Sequence, residues 1–301
     1  MDAKALLKEF LLECEIRKFS PKTLKGYRDS NLYLLNYLEA EHQITLAEDI
    51  SHIHIKRFLT FLQKNGRKAT YTNGLIKTFR SFFKYLKEEE YISINPMLKI
   101  KWGKQEKPII KTFSKREVAK MVKAFGGSNF LEIRNKAIIA TLFDTGIRCS
   151  ELCDLKADAI KDTYINVWGK GNKERSVGKS PYLEKFLLRY TIVRDAYFRH
   201  KLILPENLFL SRTGKPLTVE AVERVVKIAG EYANVAEDIR CSPHTCRHWY
   251  AQAQLKNGLD VYSLSRLLGH NNVRITQVYL DSMKDKDIVE KSVLTSPLMN
   301  L

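Results

Sequence analysis

The chain has 301 residues, with 51 Lys and Arg against 34 Asp and Glu, a formal net charge of +17. At 44% hydrophobic and 28% charged it is neither disordered nor fibrous, and its length suits two ordinary domains or one large one. No run reaches the roughly 18 apolar residues that span a bilayer, the start MDAKALLKEF lacks a signal-peptide layout, and the 5 cysteines are too few for a disulfide scaffold. A cytoplasmic, non-membrane protein is expected. In chain order, the first hundred residues read as helices. Ser20-Pro21 pairs an N-cap with proline at the first helical position and opens a helix to about Glu41. A second helix is expected from about Ser51 to Asn65 and a third from about Thr70 to Glu89, with Leu75, Ile76, Phe79, Phe82, Phe83 and Leu86 on one side. Asn95-Pro96 stops this block, so residues 1–100 read as one helical domain.

Residues 101–112 are polar and basic and read as an inter-domain linker, leaving 113–301 as a second domain. Ser114 and Glu117 form a capping-box pair at the start of a new helix. Helix 130–144 follows and ends at Thr145-Gly146, with a short helix from Ser150. Tyr164–Trp168 reads as a strand that GKGNKER turns back toward Ser176-Val177. Further helices are expected at about 181–199, 218–233, 243–257, 260–268, 273–281 and 286–294. The fold class is therefore mainly α, with a small antiparallel sheet in the second domain. Residues 1–110 hold 20 Lys and Arg against 13 Asp and Glu, and 111–301 hold 31 against 21. Both parts are basic, as expected if both touch one long polyanion, nucleic acid first.

Ser242-Pro243 starts a helix on which His244 and Arg247 share a face, so a phosphate there gains backbone N–H groups, an imidazole and a guanidinium fork. Arg148 follows a glycine turn between two helices, Lys173 lies in the glycine-bearing hairpin, His270 follows a C-terminal glycine, and Tyr279 is expected in a short amphipathic helix. Each alone has an ordinary structural explanation; their order along the chain does not. Cys149 with Cys153, or Cys241 with Cys246, lack the compact spacing of a zinc pair, so no metal is expected. No Walker A motif exists, because Lys173 stands where the first glycine should precede Gly178-Lys179-Ser180.

The words DTGIRCSEL, GKGNKER, HTCRHW, LLGH and TQVYL, in that order, resemble the phage-integrase or Xer-type tyrosine recombinase family over essentially the whole chain. The resemblance implies a SAM-like core-binding domain followed by a catalytic domain, a C-shaped clamp on duplex DNA, and four protomers in a synaptic tetramer. It implies that Arg148 and Arg247 clamp the scissile phosphate and that His244 and His270 act in proton transfer and hydrogen bonding. Lys173 then protonates the leaving 5′ oxygen, with Lys170 of the same hairpin as its rival, and Tyr279 forms a 3′-phosphotyrosyl bond. Glu151 supports the site from behind, and His248, Trp249 and Tyr250 pack or brace Arg247. The residues past 284 would dock on a neighbouring protomer. Neither metal nor ATP is expected as a cofactor. An accessory protein or partner recombinase and a nucleoid location fit the same picture. The expected activity is integration or excision of a mobile element, with Xer-type dimer resolution, a silent DNA-binding regulator and a type IB topoisomerase-like enzyme as alternatives. The departures are Ser176 to Pro181 in place of a Val-Pro-Leu-like strand and a chain that starts directly in the core-binding domain.

Overall fold

A computed structural model describes residues 1–105, 110–169, 173–280 and 293. The chain divides into two compact units, Met1–Lys107 and Pro108–Leu301. In the first unit α1 (Ala3–Ile16) is capped by Asp2, whose carboxylate accepts from Ala5 N–H. This helix, absent from the sequence expectations, buries Leu6, Leu7, Phe10 and Cys14. Ser20 caps α2 (Pro21–His42), and α3 (His52–Lys64) and α4 (Ala69–Glu88) complete the bundle. Phe58, Phe79, Phe82 and Phe83 are fully buried at its centre. The start of the segment read as a linker is pinned to α4. Arg80 donates to the Ile100 carbonyl and lies 4.2 Å from the centre of the Trp102 ring. Asn73 also exchanges two hydrogen bonds with Gly103, at 2.8 and 2.9 Å.

In the second unit Ser114 and Glu117 form their reciprocal cap at the start of α5 (Lys115–Lys123). The next helix, α6 (Phe130–Thr145), is buried on nearly every side, as its continuous apolar sequence requires, and packs against α8 (Pro181–Tyr197) and α10 (Pro243–Lys256). It stops at Gly146, in the left-handed region, and α7 (Cys149–Asp154) starts directly after Arg148. The hairpin β1 (Tyr164–Gly169) and β2 (Lys173–Gly178) is antiparallel, with Gly169 opposite Lys173 and Ile165 opposite Val177. The second strand runs through to Gly178 despite the unusual words after the hairpin. The remaining elements are α9 (Val219–Ala233), α11 (Val261–Leu268) and α12 (Arg274–Gln277). The last of these ends at Gln277, short of the 273–281 expected, and Thr276 is its one buried residue. Tyr279 therefore sits in the turn after α12, not within a helix. Apart from Val293, the expected helix 286–294 and the tail past 284 lie outside the described residues, as does Lys170.

All five cysteines are free thiols, and Cys149 and Cys153 are one turn apart on α7. Among the described residues no helix is long and apolar enough to cross a membrane, and no group of three or more His, Cys, Asp or Glu is placed to hold a metal ion.

Candidate active site

The site grows from the end of one helix. An α-helix leaves its last carbonyls without partners, and its dipole makes that end electronegative. At the end of α11, three successive carbonyls each accept from a different arginine. Leu267 O takes Arg175 Nε at 2.7 Å, Leu268 O takes Arg247 Nη2 at 2.6 Å, and Gly269 O takes Arg148 Nη2 at 3.3 Å. Gly269 closes α11 at φ +65°, and a Cβ there would stand 3.0 Å from Arg175 Cδ. Gly146 does the same work at the end of α6: its carbonyl accepts Arg247 Nη1 at 2.8 Å, and a Cβ would meet Tyr250 Cδ1 at 2.3 Å. Both glycines let the backbone turn sharply while another element presses against it.

Glu151 holds two of these arginines. Its carboxylate accepts the Arg148 backbone N–H at 2.8 Å, Arg148 Nη1 at 2.8 Å, and a bidentate pair from Arg175 at 2.9 and 2.6 Å. The residue is 5% exposed. Burial alone would raise its carboxyl, but the hydrogen bonds from Arg175 and Arg148 outweigh it and bring the group down to about 2. Burial and the neighbouring Arg148 charge bring the 4%-exposed Arg247 guanidinium down to about 10, still a cation at neutral pH. Arg148 and Arg175 thus share the Glu151 carboxylate, whereas Arg247 donates to the Gly146 and Leu268 carbonyls and to His270. The Arg148 side chain is 40% exposed and open to a ligand. Such a cluster has an excess of positive charge and of N–H donors, which suits an oxyanion such as phosphate.

The histidines complete it. His270 Nε2 lies 3.1 Å from Arg247 Nη2 and its Nδ1 lies 2.8 Å from Thr276 Oγ1. Arginine can only donate, so Nε2 accepts and the proton belongs on Nδ1, which donates to the threonine. Burial and then the charges of Arg247, Arg148 and Arg175 hold His270 down, at about 4, so the ring is neutral at physiological pH. His244 is exposed, its ring centre 4.0 Å from that of His248, one turn along α10. Burial followed by Arg247, Arg240 and Arg148 lowers it as well. His248 Nδ1 lies 2.9 Å from the Tyr279 hydroxyl. Tyr279 is 4% exposed and packs with Tyr250, Leu255, Leu264 and Leu268, and burial raises its phenol against the lowering pull of Arg247 and Arg148.

Of the residues singled out in the sequence, Arg148, Glu151, Arg247 and His270 join in one hydrogen-bonded network through the end of α11. His244, His248 and Tyr279 form a second chain of contacts, with His244 and His248 on the same helix, α10, as Arg247. Lys173 is exposed at the first position of β2, with Gly169 opposite it. A Cβ on Gly169 would lie 3.5 Å from both Glu151 Oε1 and Arg175 Nη1, so the hairpin base is beside the network. Two residues escaped the sequence reading. Arg175 was present in the GKGNKER word, and strand alternation places it on the same face as the buried Val177. His248 reads in the sequence only as a brace for Arg247, although it stands four residues after His244 on the same helix face.

Residues 111–286 match the phage integrase family, and residues 7–90 match the phage integrase N-terminal SAM-like domain. The chain is 30% identical to the tyrosine recombinase XerC of Halalkalibacterium halodurans, over 92% of each chain. It is 28% identical to the tyrosine recombinase XerD of Listeria innocua, covering 95% of this chain and 97% of the relative. Among solved structures, the fold resembles the XerH site-specific recombinase in a post-cleavage complex with its difH substrate. That match has a TM-score of 0.77 at 19% identity, over 93% of this chain and 82% of the other. A lambda integrase tetramer bound to a Holliday junction matches at TM-score 0.71 and 20% identity, over 93% and 77% of the two chains. The chain belongs to the phage integrase family of tyrosine recombinases, site-specific enzymes that transfer DNA strands.

Proposed function

We propose that this chain binds a duplex recombination site and cuts and rejoins its strands through a phosphotyrosyl bond at Tyr279. The observation that carries the reading is the convergence of Arg148, Arg175 and Arg247 on the end of α11, with a tyrosine hydroxyl hydrogen-bonded to a histidine on the helix that carries Arg247. In this reading Arg148 and Arg247 hold the non-bridging oxygens of the scissile phosphate, where negative charge builds during in-line displacement. His244 and His270 add hydrogen bonds to the same group. Tyr279 Oη forms the new bond to phosphorus as the bond to the 5′ oxygen breaks, and Lys173 protonates that oxygen. Lys173, Arg175 and Val177 share one face of β2, which supports Lys173 as the acid. Attack by a 5′-hydroxyl from another strand reverses the step, so the ester conserves the bond and no nucleotide hydrolysis is needed.

In this reading residues 1–100 and 113–301 are the core-binding and catalytic domains, joined by 101–112. Two protomers bind each site and four assemble at synapsis, in the compartment that holds the cell's DNA. The C-terminal residues dock on a neighbour, and deleting 284–301 leaves DNA binding intact but impairs synapsis. Integration or excision of a mobile element is one setting for this chemistry. Xer-type resolution of chromosome or plasmid dimers is the second, and the names of the curated relatives favour it. Loss of the gene separates them: failed excision of an element points to the first, accumulated dimers to the second.

The test incubates the protein with duplexes from its host replicon or element, nicked near the cleavage point, and looks for a covalent adduct on a denaturing gel. An adduct that disappears in Tyr279→Phe supports the reading. Site-specific binding without any adduct supports a silent regulator instead, and relaxation of unrelated supercoiled plasmid supports a topoisomerase.

A further inference from the structure

Resting on that reading, we propose that His248 is a catalytic residue whose Nδ1 takes the Tyr279 proton as the phenolic oxygen attacks phosphorus. A phenol with an ordinary pKa of about 10 is a poor nucleophile until its proton leaves, and a positioned base removes it within the same step. His248 Nδ1 stands 2.9 Å from Tyr279 Oη, within the range for direct proton transfer. At 4% exposure the tyrosine is shielded from bulk water, which makes a protein acceptor the natural route for the proton.

The neighbours are less suited. Arg148 and Arg247 are cations without an acceptor lone pair. Both ring nitrogens of His270 are engaged, by Arg247 and Thr276. His244 meets the ring of His248 edge-on. The groups that face His248 are His244 and Arg247 from its own helix, His270 from the end of α11, and Tyr279 from the turn after α12. Burial first, then His244, Arg247 and His270, hold the His248 ring at about 4, neutral and with its lone pair available. A bound phosphate offsets the Arg247 charge and raises the basicity of His248 when the substrate is in place.

The step balances as follows. The Oη–P bond forms, the P–O5′ bond breaks, the Oη proton passes to His248 Nδ1, and the 5′ oxygen takes a proton from Lys173. In rejoining, the 5′-hydroxyl gives its proton to the neutral Lys173 amine as its oxygen attacks phosphorus, the P–Oη bond breaks, and the imidazolium of His248 returns its proton to Oη.

The experiment measures single-turnover adduct formation by the full chain on the nicked duplex across pH, for wild type, His248→Asn and Lys173→Ala. Asparagine accepts a hydrogen bond from the tyrosine but takes no proton. His248→Asn should bind DNA within about twofold of wild type and form adduct about 100-fold more slowly. It should also lose the acidic limb of the wild-type pH profile. A substrate with sulfur at the bridging 5′ position needs no acid for its leaving group, so it should rescue Lys173→Ala but not His248→Asn. The inference is overturned if His248→Asn cleaves within threefold of wild type with the same acidic limb, or if the sulfur substrate rescues it as fully as Lys173→Ala. Wild type giving no adduct on any correct substrate overturns the underlying reading instead. If asparagine prevents folding, as a thermal melt would show, His248→Gln provides the same contrast.

Discussion

Glu151→Gln keeps the shape of the side chain and removes the charge that two arginines share. A carboxyl held at about 2 instead of its ordinary 4.5 is more acidic by roughly 300-fold, about 3 kcal/mol at about 1.4 kcal/mol per tenfold. The residue is 5% exposed, so solvent screens little of this, and about 3 kcal/mol is also typical for breaking one side of a buried ion pair. Because the folded-state value is depressed, the stabilisation is fully present above about 4.5 and is lost as the pH falls toward 2. For a unit of this size, 3 kcal/mol corresponds to roughly 6–12 °C in melting temperature. The assay is thermal unfolding followed through Trp168 and Trp249, which lie in the same unit as Glu151. The gap between wild type and Glu151→Gln should stay constant from pH 7.5 to about 5 and begin to close below about 4.5. A gap under 2 °C at pH 7.5, or one that persists unchanged to pH 3.5, refutes the reasoning.

Gly146→Ala places a methyl group at φ +60° and 2.3 Å from the Tyr250 ring, which is itself buried. Strain and overpacking together should cost about 3 kcal/mol, visible as a lowered melting temperature, whereas Gly178→Ala, with nothing within 4 Å, should melt like wild type. Arg175→Lys keeps the charge but cannot bridge both Glu151 oxygens and the Leu267 carbonyl at once. It should bind DNA normally at fixed salt in a gel-shift assay and form adduct at least about tenfold more slowly. Thr276→Val removes the acceptor that holds the His270 proton on Nδ1. Single-turnover cleavage should fall about tenfold with the dissociation constant for DNA unchanged.

How far the sequence reveals this molecule depends on whether the signal is local. Ser20-Pro21 and the Ser114–Glu117 box announce α2 and α5, because caps are satisfied within a few residues of themselves. The first helix is less visible, since its cap is the second residue of the chain and its apolar stripe carries no flanking stop. The truncated α12 reflects tertiary packing, which ends the helix where Tyr279 must enter the apolar pocket of Tyr250, Leu264 and Leu268. In the site, Arg148, Arg247, His270 and Tyr279 stand in a recognisable order, and so can be picked out without coordinates. Arg175 cannot be singled out the same way: its carboxylate partner lies 24 residues away and its carbonyl partner 92 residues away. The role of His248 likewise depends on a hydroxyl 31 residues further along the chain.

The arginines at the end of α11 are addressed to main-chain oxygens, on residues whose side chains are two leucines and a glycine. Side-chain variation at Leu267 therefore leaves the acceptor in place, and a mutational scan would register Leu268 as core and overlook both as ligands. Replacing the amide between Leu267 and Leu268 with an ester, which weakens that carbonyl without touching a side chain, would loosen Arg175 where an alanine scan stays blind. Part of the machinery that positions the arginines is thus carried by the polymer itself, in atoms common to every residue, and at Leu267 it tolerates sequence drift at the position that makes the contact.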